Sequence, residues 1–200
     1  MTELDLCSYL GLGATGAVTA NLLLGMLMSL RYSPQREWPH RRINVFLLHR
    51  WTAYAAVVLT LTHPLILLLV RTPRFRVIDL LWPIHSPLQP KINLAGAGAL
   101  YLIVLVLVTS LLRTRLGRPL WRVIHYSVFP AAALIFLHSI LTDPLLKDGH
   151  PDLLDGGKIF VECCALLSLL AVAVRWRMRG RGFRAKTSAG RQLPPGIAAD

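Results

Sequence analysis

Residues 43–70 read INVFLLHRWTAYAAVVLTLTHPLILLLV, and this stretch decides the fold. The run is longer than the roughly 20 residues that an α-helix needs to cross a hydrocarbon core about 30 Å thick. Four further apolar runs occupy residues 8–30, 92–112, 119–141 and 157–176. Hydrophobic residues make up 54% of the 200-residue chain, which is more than an ordinary soluble domain contains. The sequence therefore predicts an all-α fold, a polytopic transmembrane bundle of about five spanning helices.

The distribution of basic residues predicts the orientation of this bundle. If the N-terminus lies outside, the inner segments, including the run from Arg175 to Arg191, hold more than twice as many Lys and Arg residues as the outer segments. Inner loops of membrane proteins carry this excess, so the N-terminus is predicted to be out and the C-terminus in. The net charge of +12 then reflects orientation, and no nucleic-acid partner is expected. The expected location is the inner cell membrane, as a multi-pass protein in contact with the lipid bilayer.

Short connections leave room for one transmembrane domain, residues 1–176. Residues 177–200 lose apolar periodicity and gain Arg, Gly and Pro, so they are predicted to form a disordered basic cytoplasmic tail. In the last span, Lys158 and Glu162 are expected to reach the outer interface along their side chains. Gly13 and Gly16 in the first span are interpreted as positions of close helix packing.

Four histidines lie inside two of the apolar runs: His49 and His63 in one, His125 and His138 in the other. Ionisable side chains are costly in a bilayer and usually mark an ion, proton or cofactor path. The separations of 14 and 13 residues correspond to about 21 and 19.5 Å along a helix. Because the second and fourth helices should run parallel, we expect His49 to pair with His125 in the inner leaflet and His63 with His138 in the outer leaflet.

Two imidazoles that face each other across a helix gap suit the axial positions of haem iron, and six-coordinate haem favours electron transfer. The sequence therefore predicts two haems, with these four histidines as iron ligands. One detail of the geometry is unfavourable, since 13 residues return a side chain about 140° away from the starting face of a straight helix. Pro130, between His125 and His138, is expected to kink or retwist its helix.

Other interpretations of the same residues remain open. Arg50 and Arg122 each lie near an inner histidine and are expected to bind haem propionates, although arginines also anchor helix ends at the inner face. The histidines could instead form hydrogen bonds between helices of a haem-free scaffold or small transporter. Zinc is disfavoured because no Asp, Glu or Cys lies at matching depth.

The segments LHRWTAYAAVVLTLTHP (48–64) and WRVIHYSVFPAAALIFLHS (121–139) resemble the ferric reductase-like transmembrane domain. Ferric reductases, NADPH oxidases and the haem subunit of the periplasmic methionine sulfoxide reductase system share this domain. The resemblance extends over roughly residues 10–175. It implies that His49, His63, His125 and His138 bind heme b, as the corresponding histidines of the family do.

The resemblance also implies a membrane oxidoreductase component, a cytochrome b. Ferric reductases and NADPH oxidases usually continue into flavin and nicotinamide domains, whereas here only residues 177–200 follow the last predicted helix. Electrons are therefore expected from a separate cytoplasmic flavoprotein or a quinol, and they would leave to an outer electron acceptor such as ferric iron. The alternative within the family is a single-haem membrane subunit of a methionine sulfoxide repair system.

Overall fold

The computed structural model describes residues 2–30, 44–143 and 154–189, and for residues 179–189 it describes the backbone. All regular secondary structure in these ranges is helical. Two 3₁₀ turns, Ile66–Leu69 and Pro83–His85, accompany eight α-helices. The helices are α1 (Glu3–Ser29), α2 (Val45–Leu65), α3 (Val77–Leu81), α4 (Pro90–Leu111), α5 (Arg113–Leu116), α6 (Arg118–His125), α7 (Val128–Leu141) and α8 (Gly156–Ala189).

Five helical spans in the described ranges are long and apolar enough to cross a membrane, as the sequence predicted. They are Glu3–Ser29, Val45–Leu69, Pro90–Leu111, Arg118–Leu141 and Gly156–Met178. The first span begins five residues before the predicted start, because Thr2 and Asp5 form a capping box that satisfies the first amide groups of α1.

The last helix continues past residue 176, where the tail was predicted to begin. The backbone of α8 stays helical to Ala189, into the segment assigned to the tail. Arg and Met favour helix nearly as strongly as Ala, which allows a spanning helix to continue past its apolar part. Residues 190–200, the rest of the predicted tail, lie outside the described residues.

Small residues at the centre let the helices approach closely. Helix α1 packs along α2 and also contacts α7 and α8, while α4 packs against α7. A buried central cluster contains one residue from each of four helices: Val18, Ala56, Ala99 and Ile135. A Cβ at Gly16 would lie 3.1 Å from the Phe160 ring, in agreement with the packing role predicted for that glycine.

The fourth span is broken at Tyr126 and Ser127, which separate α6 from α7. Pro130 has no N–H to donate to the carbonyl of Tyr126, and that carbonyl instead accepts a hydrogen bond from the amide of Phe129, 3.1 Å away. The break lies between His125 and His138. A kink or change of twist in this helix was predicted at Pro130.

Candidate functional site

His63 of α2 and His138 of α7 face each other near one end of the bundle. Their ring centroids are 6.3 Å apart, with an angle of 73° between the ring planes. Both line a cavity of about 470 Å³ that is enclosed mainly by α1, α2, α4 and α7. The structure thus brings together the two histidines that were predicted to pair in the outer leaflet.

Three of the four histidines share one mode of attachment to a neighbouring helix. His63 Nδ1 lies 2.8 Å from the carbonyl oxygen of Cys7, and His138 Nδ1 lies 3.0 Å from that of Ile92. His49 Nδ1 lies 3.0 Å from the carbonyl oxygen of Asn21. A carbonyl oxygen can only accept, so each Nδ1 carries the proton and donates it. The Nε2 atom of each ring is then the unprotonated nitrogen, which is the form that binds a metal.

A glycine lies four residues beyond each accepting carbonyl, under the histidine ring. Added Cβ atoms at Gly11 and Gly96 would lie 3.0 Å from Cε1 of His63 and His138, respectively. At Gly25 the corresponding distance to His49 Cε1 is 3.3 Å. These distances are shorter than ordinary van der Waals contact. A side chain at any of the three positions would therefore collide with the ring, and glycine leaves the space that the ring occupies. The glycine and the carbonyl together fix both the position and the tautomer of the imidazole.

The inner pair is arranged differently. His125 stacks on Trp121 with ring centroids 4.9 Å apart. The buried Nδ1 atom of His125 has no hydrogen-bond partner in the described part of the chain. Asn21 strengthens the attachment of His49, since its side-chain amide donates to the carbonyl of His49 at 2.6 Å and to Thr52 Oγ1 at 2.9 Å.

The two arginines predicted to bind propionates, Arg50 and Arg122, both lie exposed. A third arginine, which was predicted to lie among the inner basic residues, contacts the part of the fourth span that follows His125. The guanidinium of Arg175 is 5.8 Å from the ring centroid of Tyr126, directly after His125, and 5.9 Å from that of Phe129. Arg175 Nε is buried without a hydrogen-bond partner among the described residues. A buried donor of this kind is normally satisfied by a hydrogen-bond acceptor, and a carboxylate is a strong one for a guanidinium.

Lys158 is another charged residue whose position differs from the prediction. It was expected to reach the outer interface, but it is only 4% exposed and lines the cavity with His63 and His138. Its ammonium group donates to the carbonyl oxygens of Ser139, Ile140 and Thr142 at the end of α7. The carbonyls at a helix C-terminus lack intrahelical donors, which explains why the ammonium group is held inside.

Residues of the connection between α2 and α4 also line the cavity. Phe75 is buried against apolar residues of the first and second spans, and Asp79 is 4% exposed and lines the cavity. The backbone N–H of Arg76 donates to Asp79 Oδ2 at 2.9 Å, and the guanidinium of Arg76 lies 3.3 Å from the same oxygen. These two hydrogen bonds hold the pKa of Asp79 below its usual range. Val77 and Ile78 of α3 remain exposed.

The geometry of the histidines fits the haem that the sequence predicts. A metal held at about 2.0 to 2.1 Å from each Nε2 would separate two opposed imidazole centroids by about 6 Å, and the observed separation of His63 and His138 is 6.3 Å. The cavity beside these rings is largely apolar, as a porphyrin requires, and both Nδ1 atoms are already bonded to backbone. At the inner pair, the partnerless Nε atom of Arg175 is of the kind that propionate binding involves.

Comparison with protein families gives one match, the ferric reductase-like transmembrane component, over residues 14–136. The match includes His49, His63 and His125, and it ends two residues before His138. Neither the curated proteins nor the solved structures contain a significant match. Because the matched range covers more than half of the chain, the protein belongs to the ferric reductase-like transmembrane family.

Proposed function

We propose that this protein is a membrane cytochrome b that carries electrons across the bilayer. In this proposal His63 and His138 hold one b-type haem, and His49 and His125 hold a second. The observation that carries the proposal is the facing of His63 and His138, 6.3 Å apart and each with its Nδ1 hydrogen committed to a backbone carbonyl. Bound haem would supply reversible one-electron transfer at two depths of the membrane.

The groups around the histidines orient the rings. The carbonyls of Cys7, Asn21 and Ile92 fix the tautomers, and a donated Nδ1 hydrogen also makes the opposite nitrogen a stronger ligand. Two ligand rings held in this way leave no open position on a bound haem iron, which favours electron transfer over oxygen binding.

The direction of transfer follows from the predicted orientation. With the N-terminus out, the His49 and His125 pair faces the inner side, where an electron donor binds. The donor class is a reduced flavoprotein or a quinol, which is oxidised. The acceptor class on the outer side is a metal ion such as Fe³⁺ or a redox protein, which is reduced by one electron per transfer. The family supports an oxidoreductase role in a multi-pass membrane protein.

One observation favours a second candidate, a cytochrome with a single haem. The outer histidines are in ring contact and share a cavity, whereas the inner pair has a His125 ring without an Nδ1 partner among the described residues. A ligand ring that lacks this support is held less firmly. In that case the protein would be the membrane subunit of a repair system for oxidised methionine, with electrons entering directly at His63 and His138.

Haem stoichiometry separates these functions. The test is a pyridine haemochrome determination on detergent-purified full-length protein and on the His49→Ala and His63→Ala variants. About two b haems in the wild type, with about one lost in each variant, is the expected result. If haem content is unchanged by His49→Ala but falls to zero in His63→Ala, the single-haem function is correct. Folded wild-type protein without haem would overturn the proposal and indicate a scaffold or transporter.

A further inference from the structure

Lys158 places a buried positive charge beside the outer histidine pair. Its Nζ atom lies 2.8 Å from the carbonyl oxygen of Ser139 and 2.7 Å from that of Ile140, and it also contacts the carbonyl oxygen of Thr142. These carbonyls directly follow His138 in the chain. Lys158 belongs to the first turn of α8, so it joins the start of one spanning helix to the end of another.

The hydrogen bonds determine the charge of this side chain. Three carbonyl oxygens surround Nζ, and each can only accept a hydrogen bond. An ammonium group has three hydrogens, whereas a neutral amine has two, so only the ammonium form satisfies all three acceptors. Because all three hydrogens are used, Lys158 has none left for a haem propionate or an incoming substrate. Lys158 can still affect the cavity through its fixed positive charge and through its hydrogen bonds to the end of α7.

The surroundings make this charge effective at the histidines. Lys158 lines the same cavity as His63 and His138 and interacts electrostatically with His138. Charges in a poorly solvated protein interior act far more strongly than charges in water. Two carboxylates, Asp143 and Asp155, also face Lys158. Asp155 is exposed, so water and salt screen it more than they screen the ammonium group.

We propose that Lys158 is a positioning residue that raises the reduction potential of a haem bound by His63 and His138. A nearby positive charge stabilises the reduced, less positive form of the iron site. The effect makes the outer site a stronger electron acceptor than it would be without the charge, and so favours transfer from the inner to the outer side. This inference rests on the proposed haem function and concerns the thermodynamic direction of the same site.

The experiment is a spectroscopic redox titration of the full-length protein in detergent, without any acceptor substrate. In Lys158→Met the charge is lost, and we expect the reduction equilibrium of one haem to shift at least about tenfold towards the oxidised form, which is 59 mV for a one-electron couple. Lys158→Arg keeps the charge and should retain the wild-type potential within a third of that shift. Lys91→Met removes an exposed lysine at the start of α4 and serves as the matched control. Both potentials should stay unchanged in this control.

A second variant keeps the inference testable if Lys158→Met does not retain haem. Asp155→Asn removes a negative charge but keeps an oxygen that can accept the amide hydrogen of Gly157, now 3.0 Å away. The same haem should then become easier to reduce, by a smaller factor than the Lys158→Met shift. Unchanged potentials in Lys158→Met with normal haem content would overturn the inference, as would unchanged potentials in Asp155→Asn if Lys158→Met loses its haem. Neither result would affect the proposed function, which is tested separately by the haem content of the wild type and of the histidine variants.

Discussion

Adding a single methyl group under a histidine ring should selectively disrupt the outer site. A Cβ at Gly96 would lie 3.0, 3.1 and 3.2 Å from Cε1, Nδ1 and Nε2 of His138. Ordinary contact begins at 3.4 Å, so the ring must move by about 0.4 Å in the Gly96→Ala variant. The ring is not free to move, because Nδ1 is bonded to the carbonyl of Ile92.

The expected magnitude follows from two opposing terms. Alanine gains about 1 kcal/mol over glycine in helix propensity, while overpacking in a tightly packed interior costs about 1–3 kcal/mol. Global stability should therefore fall by about 0–2 kcal/mol. Haem retention should change more, because losing an outer partner of a metal ligand typically lowers metal affinity by about 10–100-fold. The variant should stay folded and lose much of its outer haem.

Gly98→Ala is the matched control on the same helix. A Cβ at Gly98 would lie 3.5 Å from Leu134 Cδ1, which is ordinary contact with the end of a flexible side chain. Haem content is measured by pyridine haemochrome after gel filtration in detergent, and folding by circular dichroism. We expect near wild-type haem in Gly98→Ala and a clear loss in Gly96→Ala. Equal haem content in the two folded variants would refute the reasoning about the glycine contact.

Two further predictions concern charged residues near the two ends of the bundle. Replacing Arg175 by Gln should weaken haem retention at the inner pair by about tenfold or more, because hydrogen bonds to charged groups contribute about 1.5–3 kcal/mol. Haem loss is measured on dilution of the purified variant in detergent, and replacement of the exposed Arg177 by Gln is the control. Equal haem retention in the two variants would contradict this prediction. The pKa of Asp79 is lower in the folded state than the value of about 3.9 in the unfolded chain. The ionised carboxylate therefore stabilises the folded state at a pH above 3.9, and this stabilisation is lost as the pH falls through the lower folded pKa. The difference in Tm between wild type and Asp79→Asn should therefore shrink as the pH is lowered from 7 to 3, and a constant difference would show that the charge of Asp79 contributes nothing.

The five spans were predictable because helix length and apolar composition alone determine whether a segment can cross a membrane. The pairing of His63 with His138 was predictable for a related reason. Short connections make the second and fourth spans parallel, and similar spacings then place the histidines at matching depth. Pro130 predicted the helix break between His125 and His138, because proline has no amide hydrogen to donate to the helix.

The hydrogen-bond partners of the histidines were not predictable from the sequence. The acceptors are backbone carbonyl groups, and every residue type has one. Cys7, Asn21 and Ile92 share no side-chain chemistry. The glycines four positions later, Gly11, Gly25 and Gly96, are a signal that the sequence does contain, but it becomes interpretable only when the facing helix is known.

The positions of Lys158 and Arg175 were missed for another reason. Basic residues near the ends of a span are usually anchors in the lipid headgroups, and that expectation places them outside the bundle. In the structure, Lys158 instead meets the unpaired carbonyls at the end of α7. Arg175 lies over the rings of Tyr126 and Phe129, at the broken part of the fourth span. The contacts of Lys158 and Arg175 therefore depend on how α8 packs against its neighbours, which the sequence does not reveal.

The most direct test of the central claim is the dithionite-reduced minus oxidised spectrum of the purified wild-type protein beside that of a His138→Ala variant. The account predicts a b-type haem spectrum with about two haems per chain in the wild type. It predicts about one in His138→Ala, since the inner pair stays intact. A folded wild-type protein with no haem signal, or a His138→Ala variant with undiminished haem, would contradict the assignment of His63 and His138 as haem ligands.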